Sequence, residues 1–182
     1  MGSEMCIRDR ASFEPRVLEL NQSVQRIVQD WSQQTGSASR LGLHLASAPL
    51  AVNFDPEHLR RVLVNLLDNA RRHASAQAGA IQVHVRADPS GQALLAVWSD
   101  GPPMDPSVEQ HLFEPFFSSE SRSSGLGLYI CRELCEGHGA AIGYHRARRI
   151  ARDTLMDGNE FFIALRRTAA SPAAVARNDS AP

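Results

Sequence analysis

Apolar residues recur at helical spacing early in the chain. Val17, Leu20, Val24, Ile27, Val28 and Trp31 predict a helix over 14–34, which Gly36, Ser37 and Ser39 bring to an end. The period then changes. Leu41, Leu43 and Leu45 alternate and predict a strand, and Leu50 to Phe54 predict a second short one. Asp55-Pro56-Glu57 is a helix start, with an acidic N-cap, proline in the first turn and a carboxylate near the positive end of the dipole. That helix runs to about Ala74, and Leu59, Val62, Leu63, Leu66, Leu67 and Ala70 form its buried stripe. Residues 81–85 and 93–98 read as two strands joined by a turn at Asp88-Pro-Ser-Gly91. Residues 99–124, rich in Pro, Ser and Gly, read as a loop with a short helical patch near 107–112. A helix follows at about 125–137, then a strand at 140–145. The segment 146–158, with Arg146, Arg148, Arg149 and Arg152, is expected to be a solvated loop before a last strand from Asn159 to Leu165. Trp98 is expected in the core, His138 and His145 on the surface. This order predicts an α/β two-layer sandwich rather than alternating βαβ units.

The two ends stand apart from this pattern. Residues 1–10, MGSEMCIRDR, match nothing that follows and read as a scar, so 1–12 is set aside. From Thr168 to Pro182 large apolar residues are almost absent, as in a disordered tail. The organisation expected is a linker helix over 13–36, one domain over 37–167 and a tail over 168–182.

Composition narrows the function classes. Of 182 residues, 43% are hydrophobic, enough for a core, and a net charge of -1 argues against a generally basic nucleic-acid binder. All 19 basic residues are Arg, so any cation offered to an anion is a guanidinium. Cys6, Cys131 and Cys135 lack zinc-site spacing, and the last two read as small buried residues of a helix. No run is long and apolar enough to span a membrane. A reducing, cytoplasmic setting is expected, with no nucleic-acid partner and no direct membrane contact.

Three features carry candidate chemistry. On the helix over 56–74, Asn65, Asn69, Arg72 and His73 share a stripe beside the apolar one. Carboxamide oxygen is a hard ligand for Mg2+, and Arg contacts phosphate through two donors. Gly125 and Gly127 open the next helix, where glycine permits close backbone approach and free N–H groups meet anionic oxygens. Phe113, Phe116 and Phe117 crowd an otherwise polar loop, as in a hinged lid anchored by aromatics.

Together these segments resemble a known set. Asp55 with Asn65-Leu-Leu-Asp-Asn69-Ala, Ser99-Asp-Gly-Pro, Leu112-Phe-Glu-Pro-Phe-Phe and Ser124-Gly-Leu-Gly-Leu128 resemble, in order, the asparagine, first glycine, phenylalanine and second glycine boxes of sensor histidine kinases. The resemblance covers about 13–167. It implies the ATP-binding catalytic domain shared with Hsp90, DNA gyrase and the mismatch-repair protein MutL, a mixed, mostly antiparallel sheet covered on one face by about three helices. The run from Leu128 to Glu136 is most similar to nitrogen-regulation and type IV pilus sensor kinases. The resemblance implies ATP and Mg2+ as cofactors, with Asn69 and Asn65 toward the metal and Asn65 and Arg72 in catalytic positions. The nucleotide would also meet His73, Ser99, Asp100, Gly101, Met104, Phe113, Arg122, Ser124, Gly125, Leu126, Gly127 and Leu128. Implied partners are the dimerisation and phosphoacceptor domain of the same full-length kinase and the receiver domain of a response regulator.

Two departures bear on this expectation. Ser99 stands where the family has an Asp that accepts from the adenine amino group, and Asp100 comes one residue late, pointing the other way by strand alternation. Pro103 and Ser123 replace glycines of the two boxes. A nucleotide-poor docking module therefore stands as an alternative. A hydrolytic ATPase is disfavoured, because Asn65 occupies the place of a water-activating glutamate and an amide is no general base. No His carries the sequence pattern of a phosphoacceptor box.

Overall fold

The computed structural model describes residues 16–117 and 125–169. In chain order they form β1 (Arg16–Glu19), α1 (Leu20–Thr35), β2 (Leu41–His44), β3 (Ala51–Phe54), α2 (Pro56–His73), β4 (Ile81–Ala87), β5 (Ala93–Ser99), α3 (Pro106–Gln110), α4 (Gly127–Gly137), β6 (Ala141–Ala151) and β7 (Thr154–Leu165).

The predicted first helix begins later than its apolar spacing implies. Arg16–Glu19 pairs antiparallel with β3 instead, and Val17, assigned to the buried stripe, is 44% exposed. Glu19 sets the boundary: its backbone is extended, and its carboxylate accepts from the N–H groups of Asn21 and Gln22 as the N-cap of α1. The same side chain accepts from the N–H of Leu50, tying the helix start to the strand region beside it.

Five strands form the main sheet in the order β2-β4-β5-β7-β6, with β2 parallel to β4 and every other pair antiparallel. Alternation sends Ile81, Val83 and Val85 of β4, Leu95 and Val97 of β5, and Phe161, Ile163 and Leu165 of β7 to one face. There they meet the buried stripes of α1, α2 and α4. Each fully buried Leu or Ile in this layer contributes about 1.5–3 kcal/mol. Trp31 belongs to the same core, and its Nε1–H donates to Asp68 Oδ1 at 3.0 Å, fixing α1 against α2. The expected two-layer α/β sandwich with a mixed sheet is the observed architecture.

The arginine-rich segment 146–158 is a hairpin, not a loop. β6 and β7 pair over their whole length and turn at Arg152-Asp153, both at positive φ, the geometry of a two-residue hairpin turn. The far end of this hairpin folds over the outer face of the sheet. Trp98 on β5 donates to the carbonyl of Ala147, and Gln82 on β4 donates to that of Ile150. Trp98 is thereby fully buried. Beneath the arm, the carboxylate of Glu160 is 1% exposed and takes both Nε–H and an Nη2–H of Arg149, with His145 at 3.2 Å on its other oxygen. After β7, Arg167 bridges to Val52 and the N–H of Thr168 donates to Ala51, so the start of the predicted tail joins the small sheet.

Candidate functional site

The site is built where α2 ends, β5 ends and α4 begins. Helix α2 is capped by Asp55, whose carboxylate accepts from the N–H groups of Glu57 and His58. Burial raises its pKa, but those bonds and the neighbouring His58 outweigh this and hold it below the usual carboxylate value. With one stripe of α2 committed to the core, Asn65 and Asn69 lie on the adjacent, partly buried stripe and Arg72 and His73 are exposed at its end.

Two other backbone segments close on this stripe. At the end of β5 the chain passes through Gly101, where a Cβ would come within 2.8 Å of the His73 carbonyl oxygen and 3.2 Å of Asn159 Nδ2. Only glycine lets the loop lie this close to the last turn of α2. On the other side, Gly125 adopts φ +64°, and a Cβ there would strike the backbone of Phe116 and Phe117 at 2.7 Å. The residues flanking 118–124 are therefore pressed together. Helix α4 starts at Gly127, with Leu126 as an N-cap whose side chain makes no capping bond, and a helix start carries N–H groups that an anion can meet. A Cβ on Gly127 would sit 3.6 Å from Asn65 Oδ1, which places the first turn of α4 directly against the asparagine stripe.

The remaining sequence-predicted residues have differing surroundings. Met104, Phe113 and Leu128 are partly buried and pack against the core, with Phe113 edge-on to Phe161 at 6.3 Å. Ser99 is 4% exposed and lies between Ile81 and Asn159 in the strand register. Asp100 faces elsewhere: its oxygens accept from the N–H and hydroxyl of Ser75 at 2.8 and 2.7 Å and from Arg152 at 3.3 Å. Its carboxylate thus fastens the α2–β4 connection to the hairpin arm. Arg122 and Ser124 lie outside the described residues, as does Ser123.

Over residues 54–169 the chain matches the family described as histidine kinase-, DNA gyrase B- and HSP90-like ATPase. The chain belongs to that ATPase family. The sensor protein kinase PilS of Pseudomonas aeruginosa is 40% identical over 139 residues, which cover 74% of this chain and 26% of PilS. The chain thus spans about a quarter of that relative's length. The catalytic domain of histidine kinase ThkA, in a nucleotide-free form, has the same fold with a TM-score of 0.68 at 24% identity, covering 85% of this chain and 97% of that one. Full-length ShkA in complex with AMPPNP shares the fold with a TM-score of 0.67 at 23% identity, covering 88% of this chain and 33% of ShkA.

In this member of the ATPase family, residues outside the sequence motifs hold the first glycine box. Asn159 on β7, 4% exposed, accepts from the Tyr144 hydroxyl at 2.8 Å and from Arg146 Nη1 at 3.0 Å, and its Nδ2 donates to the Pro102 carbonyl at 2.9 Å. Arg146 also donates to the Gly101 carbonyl at 3.0 Å. Parity along β7 was the available signal: Asn159 shares the face of Phe161, Ile163 and Leu165, so it is a polar residue aimed inward. Cys131 and Cys135 are fully buried, and burial pushes both thiols up to about 12, which leaves them inert packing residues.

Proposed function

We propose that this domain binds Mg2+–ATP between the asparagine stripe of α2, the Gly101 loop and the first turn of α4. It donates the γ-phosphoryl group to a histidine on a separate dimerisation domain, for relay to an aspartate of a response regulator. The observation that carries this reading is the placement of Asn65 against Gly127, where a helix start meets a carboxamide rather than a carboxylate. Triphosphate oxygens between them would receive N–H donors from α4, while Asn65 orients without taking a proton. An amide at position 65 is no general base for water, which favours transfer to a positioned acceptor.

Among the described residues no three His, Cys, Asp or Glu side chains form a metal centre. Mg2+ needs none, since it keeps several waters and takes one or two protein oxygens beside the phosphates. The two partly buried carboxamides fit that demand, with Asn69 as the ligand and Asn65 beside it. When bound, Mg2+ neutralises charge on the phosphate oxygens. Arg72, exposed at the end of the stripe, supplies a guanidinium toward the same phosphates. His73, Met104, Phe113, Leu126 and Leu128 would surround the nucleotide, and Arg122 and Ser124 would complete the lid. Asp100, committed to Ser75 and Arg152, leaves the base end of the site to Ser99. The ATP-binding unit extends over 37–167 with 13–36 leading into it and acts in the cytoplasm; among the described residues no helix is long and apolar enough to cross a membrane.

The test is transfer of radiolabel from γ-labelled ATP. The chain alone should release phosphate only at background rate, and adding the dimerisation domain of the same full-length kinase should place label on its histidine. Steady phosphate release by the chain alone, without transfer, would favour a hydrolytic ATPase instead.

A further inference from the structure

The base end of the site contains no free carboxylate among the described residues. Asp100 is held by Ser75 and Arg152, and Glu160 lies on the opposite face of the sheet under Arg149 and His145. The two side chains that the strand register pairs here, Ser99 and Asn159, are neutral. The Ser99 hydroxyl belongs to a residue 4% exposed and hydrogen-bonds no described residue. Across the strand pairing, Asn159 has its oxygen occupied by Tyr144 and Arg146 and one amide hydrogen by Pro102, so its second amide hydrogen still points to no described acceptor. A carboxylate only accepts, so it favours the 6-amino group of adenine and opposes the lone pairs of a 6-oxo group. A hydroxyl rotates to donate or accept, and an amide N–H donates.

From this juxtaposition we infer that the pocket reads the purine through Ser99 and Asn159 and takes 6-oxopurine nucleoside triphosphates, GTP among them, almost as well as ATP. The inference rests on the placement of the nucleotide base proposed above. Both purines present one group at C6 to the same rotatable hydroxyl, which accepts from a 6-amino group and donates to a 6-oxo group. A fixed carboxylate, which the 6-oxo group would leave without its donor, is missing here among the described residues.

The experiment is competition of Mg2+–ATP and Mg2+–GTP against a fluorescent ATP analogue on the 182-residue chain. Dissociation constants within about tenfold of each other are expected, and Ser99→Asp should widen the preference for ATP by at least about tenfold, chiefly by weakening GTP. Thermal melting checks that the variant is folded. Ser99→Ala, which adds no charge to the core, should weaken both nucleotides by a similar factor. A wild-type preference for ATP of a hundredfold or more would overturn the inference and leave the ATP-binding reading standing. Binding of neither nucleotide at millimolar concentration would overturn both.

Discussion

Asn159→Ala removes a side chain that joins β6, β7 and the first glycine box. Three hydrogen bonds go with it: those from Tyr144 and Arg146 to Oδ1 and that from Nδ2 to the Pro102 carbonyl. Arg146 keeps its bond to the Gly101 carbonyl, so the loop is loosened rather than released. At about 0.5–1.5 kcal/mol net for each bond, the loss amounts to about 2–4 kcal/mol, since the site is buried and water cannot fully replace the amide. For a chain of this size that corresponds to a fall in Tm of about 5–15 °C. Thermal denaturation followed by circular dichroism measures the stability term. Titration with a fluorescent ATP analogue measures the second consequence, a loss of affinity of about fivefold or more, because Gly101 is held less firmly against the last turn of α2. A Tm within about 2 °C of wild type, or unchanged nucleotide affinity in a destabilised protein, would refute the claim that Asn159 clamps the glycine box for binding.

Three further outcomes are expected. Asn69→Ala should abolish the Mg2+ dependence of nucleotide binding while leaving some metal-independent binding; an unchanged dependence in paired titrations would reject Asn69 as the ligand. Arg149→Leu leaves the buried Glu160 carboxylate without its main partner and should cost about 3 kcal/mol in chemical denaturation, whereas Arg149→Leu with Glu160→Leu should recover most of it; equal losses in both would contradict this. Burial first, and then the charges of Arg149, His44 and Arg86, hold His84 down to about 4. The folded state thus favours the neutral ring, the unfolded chain takes its proton first, and stability falls as the pH drops from 6.5 toward 4, by about 2 kcal/mol after allowance for partial exposure. His84→Asn should flatten urea midpoints across that window, and an unaltered pH profile would count against it.

The central part of the fold was legible because each signal was local. Helix α2 carries its cap, its proline and its apolar stripe within one run, and the alternating strand that starts at Ile81 and the apolar strand 93–99 flank a Pro-Ser-Gly turn. The asparagine stripe and the glycines were visible for the same reason. The hairpin over 141–165 was hidden because its charges are satisfied at a distance. Arg149 meets Glu160, Arg152 meets Asp100 and Arg146 meets Gly101 and Asn159, partners that sequence spacing does not reveal. Its turn, Arg152-Asp153, lacks the Asn-Gly signature that normally marks two positive φ values. The start of α1 was misplaced for a related reason, since helical spacing at Val17 and Leu20 cannot show that β3 is waiting to pair with residues 16–19. The Asn159 clamp required knowing the strand register, which only the assembled sheet supplies.

The most direct test of the nucleotide site is equilibrium titration of the chain with a fluorescent ATP analogue, with Mg2+ and with its chelation, followed by displacement with ATP. Saturable, ATP-competed binding in the micromolar range that weakens when Mg2+ is removed is the result expected from Asn65, Asn69 and the start of α4. Absence of binding at millimolar nucleotide, in a chain shown to be folded, would contradict it and leave a domain that only docks on its partners.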